Sequence, residues 1–310
     1  MCYHTFAMDY VKKIVYTELE KKIIEIGKDE EIFSLIYKNK DIFDGVAKDI
    51  KNAVNNNDFL MVYQPHIENQ IHCTGAGAEA LFRLKINDRF YNPFAVFSIA
   101  SYYGFEEELS LKVLKKVCVD LKEFRDEISK DFVVSFNVNP KLFNKDFCDK
   151  IINTVKKCGI PAKNIAVELT EVSSLEKVKV EDMKYLKSNG IKIYCDDFGA
   201  GYSREHVLDF PFDVIKFDGS YIRGIDKSQK KREYVEKIVN KCKLFNIKTL
   251  AENVETMEEC EVVENLGIDK TQGYFYSKPL EKKDFLLKYR KFETVKGVVL
   301  PNKNSHQSIL

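Results

Sequence analysis

The stretch Ile165–Gly199, IAVELTEVSSLEKVKVEDMKYLKSNGIKIYCDDFG, reads as strand, helix, strand. Ile165–Leu169 and Ile191–Cys195 are short β-rich runs, and Leu175–Ser188 between them reads as an amphipathic helix. A strand, a crossover helix and a second strand make a parallel unit. The same alternation extends in both directions. Further strands are expected at Phe59–Tyr63, Ala78–Leu84, Phe132–Val138, Val214–Phe217, Thr249–Ala251 and Thr271–Gly273. Helices are expected at Glu107–Arg125, Asp146–Cys158, Arg232–Phe245 and Met257–Leu266. About eight strands over roughly 220 residues suit a closed α/β barrel better than an open sheet.

Before the first strand the pattern differs. From about Tyr10 to Asn56, apolar residues such as Ile14, Leu19, Ile23, Ile26, Ile32, Phe33 and Ile36 recur at helical spacing. Gly27 and Gly45 are the expected breaks, and Asn55-Asn56-Asn57 the expected end. The domain reading is therefore an N-terminal helical extension over 1–46, a barrel domain over 47–295 and a disordered polar tail over 296–310.

The 310 residues are 45% hydrophobic and 31% charged, enough to bury a core without covalent staples. The formal net charge of +1 gives no field for a nucleic-acid polymer. Eight scattered cysteines form no Cys-x-x-Cys pair, which points to reduced thiols and a cytoplasmic setting. No stretch is long and apolar enough to span a bilayer, and the first ten residues lack the pattern of a signal peptide.

Polar residues collect at the ends of the expected strands: Glu79, Asn137, Glu168, Asp196, Asp197, Lys216, Glu252 and Gln272. In a parallel barrel those ends converge on one face, where catalytic groups sit. Charges within apolar runs are costly unless paired or bound to metal. Oxygen-only donors favour a hard cation such as Mg²⁺ or Mn²⁺ over zinc. Two such ions about 4 Å apart could clamp the attacking and leaving oxygens of a phosphodiester. Each residue alone has a plainer reading. Glu79 could be a helix residue, Asp196 to Gly199 a solvated turn, Glu168 to Glu171 a helix cap, and Lys216 a surface lysine. Their shared position at strand ends weakens all of these together.

The order of motifs extends the pattern. Tyr63-Gln64-Pro65, Glu79-Ala80-Leu81, Asn137, Glu168-Leu169-Thr170-Glu171 and Asp196-Asp197-Phe198-Gly199-Ala200-Gly201-Tyr202-Ser203 come first. Lys216 with Asp218, Ala251-Glu252-Asn253-Val254-Glu255 and Gln272-Gly273-Tyr274 through Lys278-Pro279 follow. From about Ala47 to about Arg290 the chain resembles the EAL-domain family of cyclic-di-GMP phosphodiesterases. The resemblance implies a modified TIM (β/α)8 barrel whose first strand is antiparallel to the rest. It implies hydrolysis of one phosphodiester bond of cyclic-di-GMP to linear pGpG, and a homodimer. Glu79, Asn137, Glu168 and Asp196 would hold one cation, and Asp196, Asp197 and Glu252 a second. Lys216 would orient the attacking water or stabilise developing charge. Glu252 would either take the proton or only position the water. Gln64, Leu81 and Arg83 would bind substrate, with Asp218 and Pro279 facing the guanine. Glu171, Glu255 and Gln272 would support the site or anchor the loop Asp197–Ser203. Asn253 stands where the family usually has Gly, at a position that would need a left-handed backbone. Ser101 stands where an acidic residue is common. A domain of this kind acting as a cyclic-di-GMP receptor or protein-interaction module is the alternative function.

Overall fold

A computed structural model of the protein describes residues 2–68, 75–170, 178–199 and 205–290. Three helices lead: α1 (Cys2–Ile26), α2 (Asp29–Lys38) and α3 (Lys40–Asn56). Then come β1 (Leu60–Glu68), β2 (Gly75–Ile86), β3 (Arg89–Tyr91), α4 (Pro93–Tyr102), α5 (Glu106–Glu127), β4 (Val133–Asn137) and α6 (Lys145–Cys158). β5 (Ile165–Thr170), α7 (Val180–Ser188), β6 (Lys192–Phe198), β7 (Val214–Phe217), α8 (Gly219–Ile222) and α9 (Gln229–Leu244) continue the alternation. The last elements are β8 (Lys248–Ala251), α10 (Met257–Asn265), β9 (Lys270–Thr271), β10 (Leu280–Glu281) and α11 (Lys282–Tyr289).

Eight strands close into a barrel, in the order β1-β9-β8-β7-β6-β5-β4-β2 and back to β1. From β2 through β4 to β9 every neighbouring pair is parallel. β1 alone runs antiparallel, to β2 on one side and β9 on the other. The antiparallel first strand implied by the family resemblance is therefore present. β3 and β10 are short additions outside the ring.

Local chemistry starts and stops these elements. The Asn144 side chain accepts the Phe147 N–H to start α6, and Gly159 ends that helix with φ of 69°. Thr256 and Glu259 form a reciprocal capping box on α10. The expected break at Gly27 is real, with φ of 63° between α1 and α2. The expected break at Gly45 is not. Gly45 lies inside α3 on its exposed face, and burial of Phe43, Ala47 and Ile50 on the other face outweighs the cost of a helical glycine, about 1 kcal/mol. α3 ends where expected, at Asn57 with φ of 59°.

The helical extension packs on the barrel rather than beside it. Tyr16, Leu19, Ile23, Ile32, Ile36 and Phe43 belong to the same buried cluster as the barrel's outer strand faces and helices. Glu20 accepts hydrogen bonds from Arg89 (2.5 Å) and from the Asn92 backbone N–H (2.9 Å). The Arg89 guanidinium also lies 4.4 Å from the Tyr16 ring centre. The six described cysteines outside α1 form no disulfide, and none of the described helices is long and apolar enough to cross a membrane. Glu171, Ala200–Ser203 and the tail 296–310 lie outside the described residues.

Candidate active site

Pairing register brings the strand-end residues together. Glu79 of β2 stands opposite Gln64 of β1 and Ser135 of β4. Asn137 stands opposite Glu168 of β5, and Thr170 opposite Asp196 of β6. Side chains alternate along a strand, so these registered residues share the inward face. Lys216 enters from β7, Glu252 follows β8, and Gln272 follows β9.

The centre is Lys216, which has 0% exposure. Its Nζ lies 2.7 Å from Asp196 Oδ1 and 2.9 Å from both Glu168 Oε2 and Glu252 Oε1. Glu79 Oε2 is 3.4 Å away. The surface-lysine reading is thereby overturned: the ammonium is wholly enclosed. Burial alone would lower its pKa, but Asp196, Glu168, Glu252 and Glu79 together hold it well above the usual lysine range.

The carboxylates show the opposite pressure. Burial raises the pKa of Glu168 and Asp196, and Lys216 only partly counteracts it. Burial and the Asp196 charge push Asp197 up to about 6. Burial pushes Glu252 up to about 8 against the pull of Lys216, with Asp196 and Glu79 adding to the rise. One ammonium faces four carboxylates, with Asp197 a fifth nearby, so full ionisation leaves a large surplus of negative charge.

Neutral amides fix the ring. Asn137 Nδ2 donates to Glu79 Oε1 (3.0 Å), and Gln272 Nε2 donates to Glu79 Oε2 (2.8 Å) and Gln64 Oε1 (3.1 Å). Gln64 Nε2 in turn donates to the Ser277 carbonyl (3.2 Å). Gln272 is held in place by its neighbour: a Cβ on Gly273 would meet the Val254 carbonyl oxygen at 2.0 Å, so only glycine fits.

The donor set fits divalent cations on two observations. Glu168 Oε1 is buried without a hydrogen-bond donor in place; the neighbouring Ser135 hydroxyl, close enough to lower the Glu168 pKa, is directed to the Ala78 carbonyl (3.4 Å). Carboxylate oxygens of Asp196, Asp197 and Glu252 all lie within 4.8 Å of one another. Asp197 adopts φ of 53°, an uncommon conformation for a residue with a Cβ. Asn253 adopts φ of 56°, as its replacement of the usual glycine requires.

Beside the ring opens a cavity of about 870 Å³. Leu81, Arg83, Asn137, Thr170 and Asp197 line its barrel side. Arg83 is half-buried and donates one Nη1 bond to the Phe82 carbonyl (2.8 Å).

A family model described as the EAL domain matches residues 47–279. This chain belongs to the EAL-domain family. The chain is 31% identical over 275 residues to the cyclic di-GMP phosphodiesterase PdeA of Borreliella burgdorferi, covering 86% of this chain and 40% of that protein. It is 27% identical over 241 residues to the signaling protein YkoW of Bacillus subtilis, covering 76% of this chain and 30% of that one. The chain thus spans well under half the length of these relatives. Among solved structures, the EAL enzyme Bd1971 in its cAMP- and cyclic-di-GMP-bound form superposes with a TM-score of 0.73 at 25% identity, covering 82% of this chain and 70% of that one. An EAL-domain protein of Listeria monocytogenes gives 0.67 at 25% identity, covering 78% and 96%.

Other expected site residues of this EAL domain lie apart from the ring. Asp218 caps α8 by accepting the Ser220 N–H (2.9 Å), and Pro279 is half-buried just before β10. Glu255 is exposed and pairs with Arg223 (3.1 Å). Two features had no sequence signal. Ser135 beside Glu168 is one serine within an apolar strand. The turn Gly27–Glu31, which also lines the cavity, comes from a segment remote from every motif, and Lys141, four residues past Asn137, belongs to none of them.

Proposed function

We propose that this EAL domain hydrolyses one phosphodiester bond of cyclic-di-GMP to linear pGpG with the help of two divalent cations. The observation that carries the reading is the carboxylate surplus around Lys216, with the orphaned Glu168 oxygen, beside a cavity large enough for a dinucleotide. Glu79, Asn137, Glu168 and Asp196 would hold one cation, and Asp196, Asp197 and Glu252 the other. Mg²⁺ or Mn²⁺ bound there would supply Lewis acidity toward water and the phosphodiester.

The chain's own side chains do the rest. Lys216 stays charged within the carboxylate ring and stabilises negative charge that develops as the phosphorus–oxygen bond breaks. The remaining N–H groups of Arg83 offer a planar fork to a phosphate oxygen. Leu81 supplies an apolar contact for the nucleotide, while Gln64 is held in position by Gln272 and the Ser277 carbonyl. Asp218 and Pro279 contribute at the guanine end. By the family resemblance, Glu171 and Glu255 would support the segment that follows Asp197, and the domain would act as a homodimer. The reaction belongs in the cytoplasm, where the dinucleotide signal is made and consumed.

The test is incubation of purified protein with cyclic-di-GMP and Mg²⁺ or Mn²⁺, with pGpG resolved by chromatography. Cation-dependent pGpG that disappears in Glu79→Ala supports the reading. Tight binding measured by calorimetry, without turnover in any cation, would make this domain a cyclic-di-GMP receptor instead.

A further inference from the structure

The cavity beside the carboxylate ring is not formed by the barrel alone. Its outer side is the turn between α1 and α2, Gly27 to Glu31. Gly27, at φ of 63°, lets the chain reverse there, and α2 begins with Asp29, Glu30 and Glu31. Three carboxylates in a first helical turn suit the helix dipole. They are poorly suited to the wall of a cavity meant for a dianionic dinucleotide. Lys28 is the turn's one cation.

The turn also occupies a cation that the barrel supplies. Lys141 lines the same cavity four residues after Asn137, and its Nζ forms an ion pair with Asp29. The position of the turn is fixed by docking of the helices on either side. Phe33 of α2 meets Tyr102 of α4 edge-on, with ring centres 5.4 Å apart. Glu20 of α1 holds Arg89 and the start of α4.

We propose that the α1–α2 turn is an affinity-limiting wall of the nucleotide site: Asp29 withholds Lys141 from the substrate phosphates, and Glu30 and Glu31 repel them. The inference rests on the phosphodiesterase reading, since it assigns a phosphate-bearing ligand to this cavity. Release of the turn, or loss of its charge, gives the site a free ammonium and a less negative wall. The chemistry of cleavage is untouched, so the effect falls on KM rather than kcat.

The experiment uses the full chain and reads cyclic-di-GMP turnover together with calorimetric binding in metal-free buffer. Asp29→Asn is expected to lower KM and the dissociation constant about two- to fivefold, the size of a half-exposed ion pair. In a Lys141→Ala background the same substitution is expected to have a smaller effect, since only repulsion by the Asp29 charge itself is then removed. Glu30→Gln with Glu31→Gln, at exposed positions where folding is not at stake, is expected to lower KM further and to weaken its dependence on salt. Unchanged or higher KM in the Glu30→Gln, Glu31→Gln variant, with kcat retained, would overturn the proposal. So would an Asp29→Asn effect of undiminished size without Lys141. A parent protein that neither binds nor cleaves cyclic-di-GMP would bring down the proposed function itself, and the wall with it. A parent that does both, with variants that behave identically, would remove only the wall.

Discussion

Among the described residues two lysines are buried inside this barrel, and their surroundings are opposite. Lys216 lies at the mouth, enclosed by four carboxylates at 2.7 to 3.4 Å. Lys270 lies at the base, 7% exposed, where the parallel strands begin. Its nearest carboxylate is Glu68 at 4.0 Å, and that side chain is 54% exposed. Burial lowers the Lys270 pKa to about 8; Glu68 pulls it up while Lys192 and Lys248, at the starts of β6 and β8, push it down. Between the two lysines sits His66, whose pKa is lowered well below the usual range by burial and by both ammonium groups. Val133, Ala166, Tyr194, Val214 and Leu250 form a small buried cluster there. The contrast shows that the fold tolerates a buried lysine with a single distant partner. Charge balance for Lys216 needs one carboxylate, so the rest of the ring answers to another demand, one that the proposed divalent cations would meet.

The largest difference between the ends is expected in turnover. Glu79→Ala at the mouth is expected to cut pGpG formation by about 10²- to 10³-fold or more. Lys270→Met at the base is expected to leave it within about twofold, measured in the same chromatographic assay. Equal losses would erase the distinction.

A smaller effect is expected in stability without cations. Lys216→Met leaves buried carboxylates without their counter-charge and is expected to cost roughly 3–5 kcal/mol in urea unfolding at neutral pH. Added Mn²⁺ is expected to recover much of that loss, because cations replace the missing charge.

At the base the sign reverses. Lys270 has its folded pKa lowered from 10.5 to about 8, so the unfolded chain binds the proton more tightly between those values. Its contribution to stability is present above pH 10.5 and is lost as pH falls through about 8. Lys270→Met is therefore expected to stabilise the protein at pH 7, by up to about 3 kcal/mol, and to flatten the rise in stability between pH 7.5 and 9.5. Denaturant titration of both proteins across that range is the check. A destabilised variant would mean that Glu68 compensates Lys270 fully.

The smallest effect concerns the amides behind the ring. Gln272→Leu removes the 2.8 Å bond to Glu79 and is expected to weaken Mn²⁺ binding about tenfold in a calorimetric titration.

Much of this contrast was legible in the sequence. The eight strand positions were readable because parallel strands, covered on both faces, are short apolar runs set between amphipathic helices. β3 and α4 were not. Arg89–Tyr91 is only three residues long, and Pro93–Tyr102 is so uniformly apolar that it shows no helical periodicity. The reversed direction of β1 leaves no trace in periodicity and came from the family resemblance. At the site, Glu79, Glu168, Asp196 and Lys216 stood out because charge inside an apolar run is costly. Ser135 did not, since a lone serine in a strand is unremarkable. Lys270 falls just before the expected strand Thr271–Gly273 and was not readable as buried, because only the closed ring puts Glu68 and Lys270 in register. The wall at Gly27–Glu31 depends on how the extension docks, and helical spacing in the sequence says nothing of where a helix pair will land.

The most direct test of the surplus-charge argument is anomalous diffraction from crystals soaked in Mn²⁺. Two peaks about 4 Å apart are expected, flanking Asp196, one among Glu79, Asn137 and Glu168 and the other beside Asp197 and Glu252. A saturating soak that leaves the ring without a peak, with Lys216 still bonded to all four carboxylates, would contradict it.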